Sequence, residues 1–170
     1  MLDIVSLCIS ITTPIVALMG ILCAIYQYKK ETIRKKRSET LALYIDLFNK
    51  TYNTREEYKN KTNDNLFHSE KIHNDPELCK KILILLTDFE SFAKGLEYEI
   101  YDFEIFIHLT PKEMYEILNS LKQFVYDERK IKGYDLLFND FIHLVDLTSI
   151  CIQLKTNSKK FKKNYKKIKV

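Results

Sequence analysis

From Ile4 to Tyr28 the chain carries no charged side chain, and six basic residues, Lys29, Lys30, Arg34, Lys35, Lys36 and Arg37, follow at once. No other feature restricts the fold as strongly. At about 1.5 Å per residue, a helix of that length crosses a hydrocarbon core of about 30 Å. A cleavable signal carries its positive charge ahead of a shorter apolar region, whereas here Asp3 precedes the run and the basic cluster follows it. Leu22-Cys23 also lacks the small residue expected before a lipid-modified cysteine. The run is therefore expected to be a transmembrane anchor, with the six basic residues as its membrane flank. The positive-inside rule then places the N-terminus outside and the C-terminus in the cytoplasm. Pro14 frees the carbonyl of Ser10 and predicts a kink. Ser6, Ser10, Thr13, Ala17 and Gly20 offer small residues for close approach of a second helix.

Charge is distributed unevenly along the remainder. The flank with Glu31 is +5, residues 38–154 hold thirteen basic and twenty-one acidic side chains, and eight lysines lie between Lys155 and Lys169. An acidic body between two basic ends is polarised rather than generally basic.

Helical signals dominate the body. No glycine or proline interrupts Ile21 to Asp75, and Leu41, Tyr44/Ile45, Phe48 and Tyr52 share one face, so the spanning helix is expected to continue. Residues 59–74 lose the period and read as a connecting loop. Asp75 as N-cap, Pro76 in the first turn and Gly95 as the stop bound a helix burying Ile82, Leu85/Leu86, Phe89 and Phe92/Ala93. "LEYEIYD" reads as a turn leading to a second N-cap, Asp102. "TPKE" at 110–113 has the form of a capping box, opening a helix through Ile131 with Met114, Ile117/Leu118, Leu121 and Phe124/Val125 inward. Gly133 ends it, and a last helix from about Asp135 to Leu154 packs Leu137, Phe141, Leu144/Val145, Thr148 and Cys151/Ile152. The expected fold is all-α: an N-terminal transmembrane helix continuing into a cytoplasmic bundle of about four helices. Its expected divisions are 1–28 anchor, 29–60 basic flank and stalk helix, 61–154 helical domain and 155–170 polybasic tail.

The pieces "KKRSETLALYIDLFN", "ILLTDFESFAKGLEYEIYDFE", "LKQFVYDERK" and "GYDLLFNDFIHLV", in that order, cover most of residues 30–145. With them the chain resembles a bacterial domain-of-unknown-function family with one N-terminal transmembrane helix and a cytoplasmic helical domain. It departs from the family pattern at Asp88-Phe89, where an Asn-aromatic pair is usual before the glutamate matching Glu90, and in lacking tryptophan. The resemblance implies the architecture and an inner-membrane location and supplies no catalytic residue. It also brings a stress or phage-defence accessory role into view.

Asp140, His143 and Asp146 recur every third residue, and Glu99, Asp102, Glu104 and His108 lie close together in sequence. Either set holds a metal or works as acid and base only if a second element converges on it. Nothing has the form of a metalloprotease helix, a phosphate-binding glycine loop or a nucleophile elbow. Cys8, Cys23, Cys79 and Cys151 show no paired spacing. No catalytic residue, metal or cofactor is therefore assigned, and the chain reads as a non-enzyme. Glu90 is expected to form a structural ion pair with Lys122 or Arg129.

In the tail, Phe161, Tyr165 and Ile168 share a stripe flanked by Lys159, Lys160, Lys162, Lys163, Lys166 and Lys167. This pattern suits an anionic lipid surface, where each lysine contributes on the order of 1 kcal/mol. Nucleic acid is the competing ligand and a solvated tail the third reading. The expected partners are the bilayer and either a cytoplasmic protein or a second copy of the chain. The expected function is a membrane-anchored interaction or regulatory module. The rival is an effector whose transmembrane helix assembles on triggering and perturbs the membrane.

Overall fold

The computed structural model describes the backbone of residues 2–155 and the side chains of residues 14–153. Among the described residues there are six helices and no strand: α1 (Leu2–Thr62), α2 (Ser69–His73), α3 (Pro76–Glu97), α4 (Phe103–Leu109), α5 (Lys112–Lys132) and α6 (Asn139–Lys155). The chain divides into two compact units, the first ending at Ser38 and the second beginning at Glu39. Residues 39–60, expected as stalk, thus belong to the second unit.

The reason lies in the inner face of α1. Thr40, Tyr44, Leu47, Thr51 and Tyr58 are buried, whereas Leu41, Ile45 and Tyr52 are exposed. The expected face is therefore rotated, and of its residues only Tyr44 is fully inside. α1 ends where Asn63 turns left-handed at φ 61° and its N–H reaches the Lys59 carbonyl at 2.8 Å. Asparagine tolerates that conformation better than most residues. The expected loop over 59–74 is also shorter than its composition suggests, since the last turn of α1 and all of α2 lie within it. Burial of Phe67 and Ile72 holds this segment in place.

α3 begins as expected, with the Asp75 carboxylate accepting from Leu78 N at 3.0 Å. It runs past Gly95 to Glu97, because Gly95 serves a packing role. A methyl there would meet the Tyr101 ring at 2.2 Å, and the Gly95 carbonyl accepts from Ile100 N at 2.8 Å and Tyr101 N at 3.0 Å. The turn after α3 folds back onto this gap. Asp102 then caps α4, accepting from Glu104 N and Ile105 N.

The expected capping box at 110–113 is absent. Pro111 is the N-cap of α5 and makes no side-chain cap bond, while Thr110 Oγ1 donates backwards to the Phe106 carbonyl at 2.8 Å. The hydroxyl closes the preceding helix instead of opening the next. Gly133, at φ 68°, stops α5 in the left-handed conformation that glycine adopts without strain. α6 starts at Asn139, four residues later than expected, because Tyr134 to Leu137 form a turn and Phe138 takes φ 54°.

α3 packs on α6, α6 on α5, and α2 lies against both α3 and α5. The stripes of α3 and α5 are buried as the spacing predicts. Aromatic contacts join the elements: Phe92 meets Phe106 edge-on at 5.3 Å, Phe106 meets Tyr44 at 6.0 Å, and Phe89 meets Phe141 at 5.9 Å. Phe92 is 1% exposed. Its truncation to alanine would remove one of the central contacts, at about 3–5 kcal/mol.

Candidate functional site

Among the described residues, two surfaces and one buried cluster stand out. The first surface is on α1 within the first unit. Every large apolar residue from Ile15 to Tyr28 is exposed, from 49% at Ile25 to 72% at Tyr28. At about 100° per residue Ile15, Val16, Leu18 and Met19 cover roughly 160° of the helix, Ile21, Leu22, Ile25 and Tyr28 widen this to roughly 240°, and Ala17, Gly20, Ala24 and Gln27 take the rest. Lys29, Lys30, Arg34, Lys35 and Arg37 follow as exposed residues, with Lys36 half-buried. Among the described residues no helix is long and apolar enough to cross a membrane. The part of the uncharged run whose side chains are described, Pro14 to Tyr28, corresponds to about 22 Å of helix. The side chains of Ile4 to Thr13 lie outside the described residues, as does the tail, with Lys159, Lys160, Phe161, Lys162, Lys163, Tyr165, Lys166, Lys167 and Ile168.

The expected ion pairs of Glu90 do not form. Its carboxylate accepts from Phe141 N at 2.7 Å and Asp140 N at 3.3 Å, capping α6 from a neighbouring helix. Helix N–H groups offered this carboxylate a better partner than a lysine, since the cap also meets the positive end of the helix dipole. Lys122 pairs with Asp146 at 2.5 Å, and Arg129 Nε donates to the Leu137 carbonyl at 2.8 Å.

The two sequence clusters are dispersed by the same kind of engagement. Asp140 faces Lys94 at 3.6 Å, Asp146 takes Lys122, and His143 is exposed. Asp102 is spent on capping α4, while Glu99, Glu104 and His108 are exposed. Among the described residues no group of three metal-ligating side chains converges.

The sequence reading missed the buried cluster. Glu128 has a side chain 5% exposed, and its Oε1 lies 3.0 Å from His73 Nε2. Lys132 Nζ stands 2.7 Å from Oε2 but out of line for a hydrogen bond, so that contact is one of charge. His73 Nδ1–H donates to the Ser69 carbonyl at 2.7 Å, and the ring rests on Phe124 with centroids 5.0 Å apart. Burial pushes the nearby Cys79 thiol above its usual range; the Glu128 charge adds to this and Lys132 opposes it. The only sequence signal was a glutamate falling on the apolar face of α5.

The second surface is an open groove of about 470 Å³ lined by Glu39, Ala42, Leu43, Asp46, Ile100 and Tyr101. It is held by two bonds between α1 and the elements around α4. Asp102 N donates to Thr40 Oγ1 at 2.7 Å, and Tyr44 Oη donates to the Leu109 carbonyl at 2.8 Å.

A family model described as a domain of unknown function, DUF4760, matches residues 14–147. No curated protein and no solved structure matches the chain.

Proposed function

The chain belongs to the DUF4760 family, a domain of unknown function, and from that premise we propose that it is a membrane-anchored, non-enzymatic interaction or regulatory module. The observation that carries this reading is the helix surface from Ile15 to Tyr28, uncharged on every side, with large exposed apolar side chains over most of its circumference, and followed directly by the basic flank. In water such a surface is unfavourable by about 25 cal/mol for each Å² left exposed. A bilayer removes that cost, and the flank at Lys29 to Arg37 sets the direction of insertion. The non-enzymatic part rests on how the acidic side chains are used. Glu90 and Asp102 cap helices, and Asp140 and Asp146 hold lysines.

Cysteine labelling of the full chain tests the reading. With the native cysteines replaced, a cysteine added after Val170 should resist an impermeant maleimide in intact bacterial cells and react after lysis. Recovery of the protein in the membrane fraction after alkaline carbonate washing is the companion result. Labelling in intact cells would reverse the topology, and extraction by carbonate would remove the anchor. A potential-sensitive dye addresses the effector reading: depolarisation on expression that disappears with Pro14→Leu would favour it over the module.

A further inference from the structure

We infer that the groove between α1 and the turn after α3 is a docking site for the chain's own C-terminal segment, residues 156–170. Its floor is apolar, from Ala42, Leu43, Ile100 and Tyr101, and its rim carries the carboxylates of Glu39 and Asp46. Ile100, itself part of this floor, is 55% exposed. The segment that follows α6 has the complementary composition. Its lysines alternate with Phe161, Tyr165 and Ile168, spaced by four and three residues.

The place where the segment starts also fits. Arg129 bonds Leu137 and Lys122 pairs with Asp146, so α6 runs antiparallel to α5. Its last turn therefore lies towards the N-terminal end of α5, beside α4, which α6 also touches. α4 is the element bonded to Thr40 and Tyr44 at the groove. Residues 156–170, at about 3.3 Å each, reach up to about 50 Å when extended. That exceeds the roughly 33 Å of helix from Glu39 to Asn60. Linkage of this kind raises the local concentration to the millimolar range, so weak contacts suffice.

Asp46 can accept a tail lysine without orphaning its present partner. Lys50 Nζ is 2.9 Å from Asp46 and also 2.9 Å from Asp88, so it keeps the second carboxylate. Anionic lipid is the competing ligand for the same lysines, and the two occupancies exclude one another where the aromatic stripe is concerned. The inference does not depend on the membrane anchor, since groove and segment meet within one chain in either case.

The test places the photo-crosslinking residue p-benzoylphenylalanine at position 161 of the full chain, in a neutral detergent at low salt, with crosslinks mapped by peptide mass spectrometry. Crosslinks should concentrate on residues 39–46 and 98–101 within one molecule. They should fall at least about fivefold when salt is raised to ~0.5 M. They should fall similarly with Ile100→Ser, whose folding is checked by circular dichroism. Replacing Lys159, Lys160, Lys162 and Lys163 with glutamine leaves the bundle untouched and should have the same effect. Crosslinks scattered over the acidic surface, confined to a second molecule, or formed only with anionic lipid once vesicles are added would each overturn the inference.

Discussion

His73 Nε2 meets Glu128 Oε1 at 3.0 Å, joining the five-residue α2 to α5 across fifty-five positions of sequence. A short helix of this kind has no stability of its own and takes its order from such contacts. The Glu128 carboxylate is nearly out of reach of water, so removing its partner leaves a buried charge with only the off-line lysine.

His73→Ala should therefore destabilise the chain by about 2–4 kcal/mol. Glu128→Gln, which keeps the shape and removes the charge, should cost less. Chemical denaturation in detergent, followed through the tyrosine near-ultraviolet signal, measures both. Equal losses in the two variants would mean that the charge is not what the histidine offsets.

Gly95→Ala presents a conflict between local and tertiary preference. Alanine gains roughly 1 kcal/mol over glycine in a helix, but its methyl occupies the space of the Tyr101 ring, which stacks on Phe92 at 5.4 Å. The substitution should be destabilising in the parent and stabilising in a Tyr101→Ala background. Only a reversal of sign, read from the same denaturation midpoints, supports the packing role.

Sequence legibility followed the range of the interactions. The start of α3 at Asp75 and Pro76, the cap at Asp102, the stop at Gly133 and the stripes of α3 and α5 depend on neighbours within a turn or two, and they stand as the spacing predicts. Most of what failed depends on partners far along the chain, the capping box being the local exception, since the Thr110 hydroxyl turns back to Phe106 four residues away. α1 offers two apolar faces, and the one containing Thr40 and Thr51 goes inward because its residues fit α4 and its neighbours. Glu90 finds the end of α6 rather than a lysine, and His73 finds Glu128. Periodicity puts Glu128 on the apolar face of α5 but names the partner of neither glutamate.

Tyr44 sets an alkaline limit. Burial raises its phenol above the ordinary value near 10, with the Thr110 contact acting the other way. The protonated form donates to Leu109. Because the folded chain holds this proton more tightly than the unfolded one, the contribution is complete below about pH 10 and is lost as pH rises through the folded value. Tyr44→Phe should cost about 1 kcal/mol near neutral pH. The difference between parent and variant should shrink above about pH 10. A difference that stays constant through the alkaline range would exclude this proton linkage.

Glu90→Ala should loosen α6 at its start rather than the whole bundle. Hydrogen exchange at Phe141 should speed up well before that of Leu144 or Val145, with a loss of about 1–2 kcal/mol in stability. Glu90→Gln, which retains an acceptor oxygen, should recover part of the protection. Uniform acceleration along α6 would show that the carboxylate acts on global stability alone.

The buried threonines carry a consequence for how this sequence can drift. Thr51 and Thr148 each donate to the carbonyl four residues back in their own helix, at 2.7 Å, and neither of these bonds crosses to another element. Their hydroxyls are satisfied at home, and the face they turn to the core has the size of valine. Descendants of this chain should exchange threonine, valine and alanine at these two positions with little effect. Thr40 is different, because its oxygen receives the Asp102 amide from across the bundle. A valine there would strand that amide, so lineages that keep the turn before α4 are confined at this site to side chains that can accept a hydrogen bond.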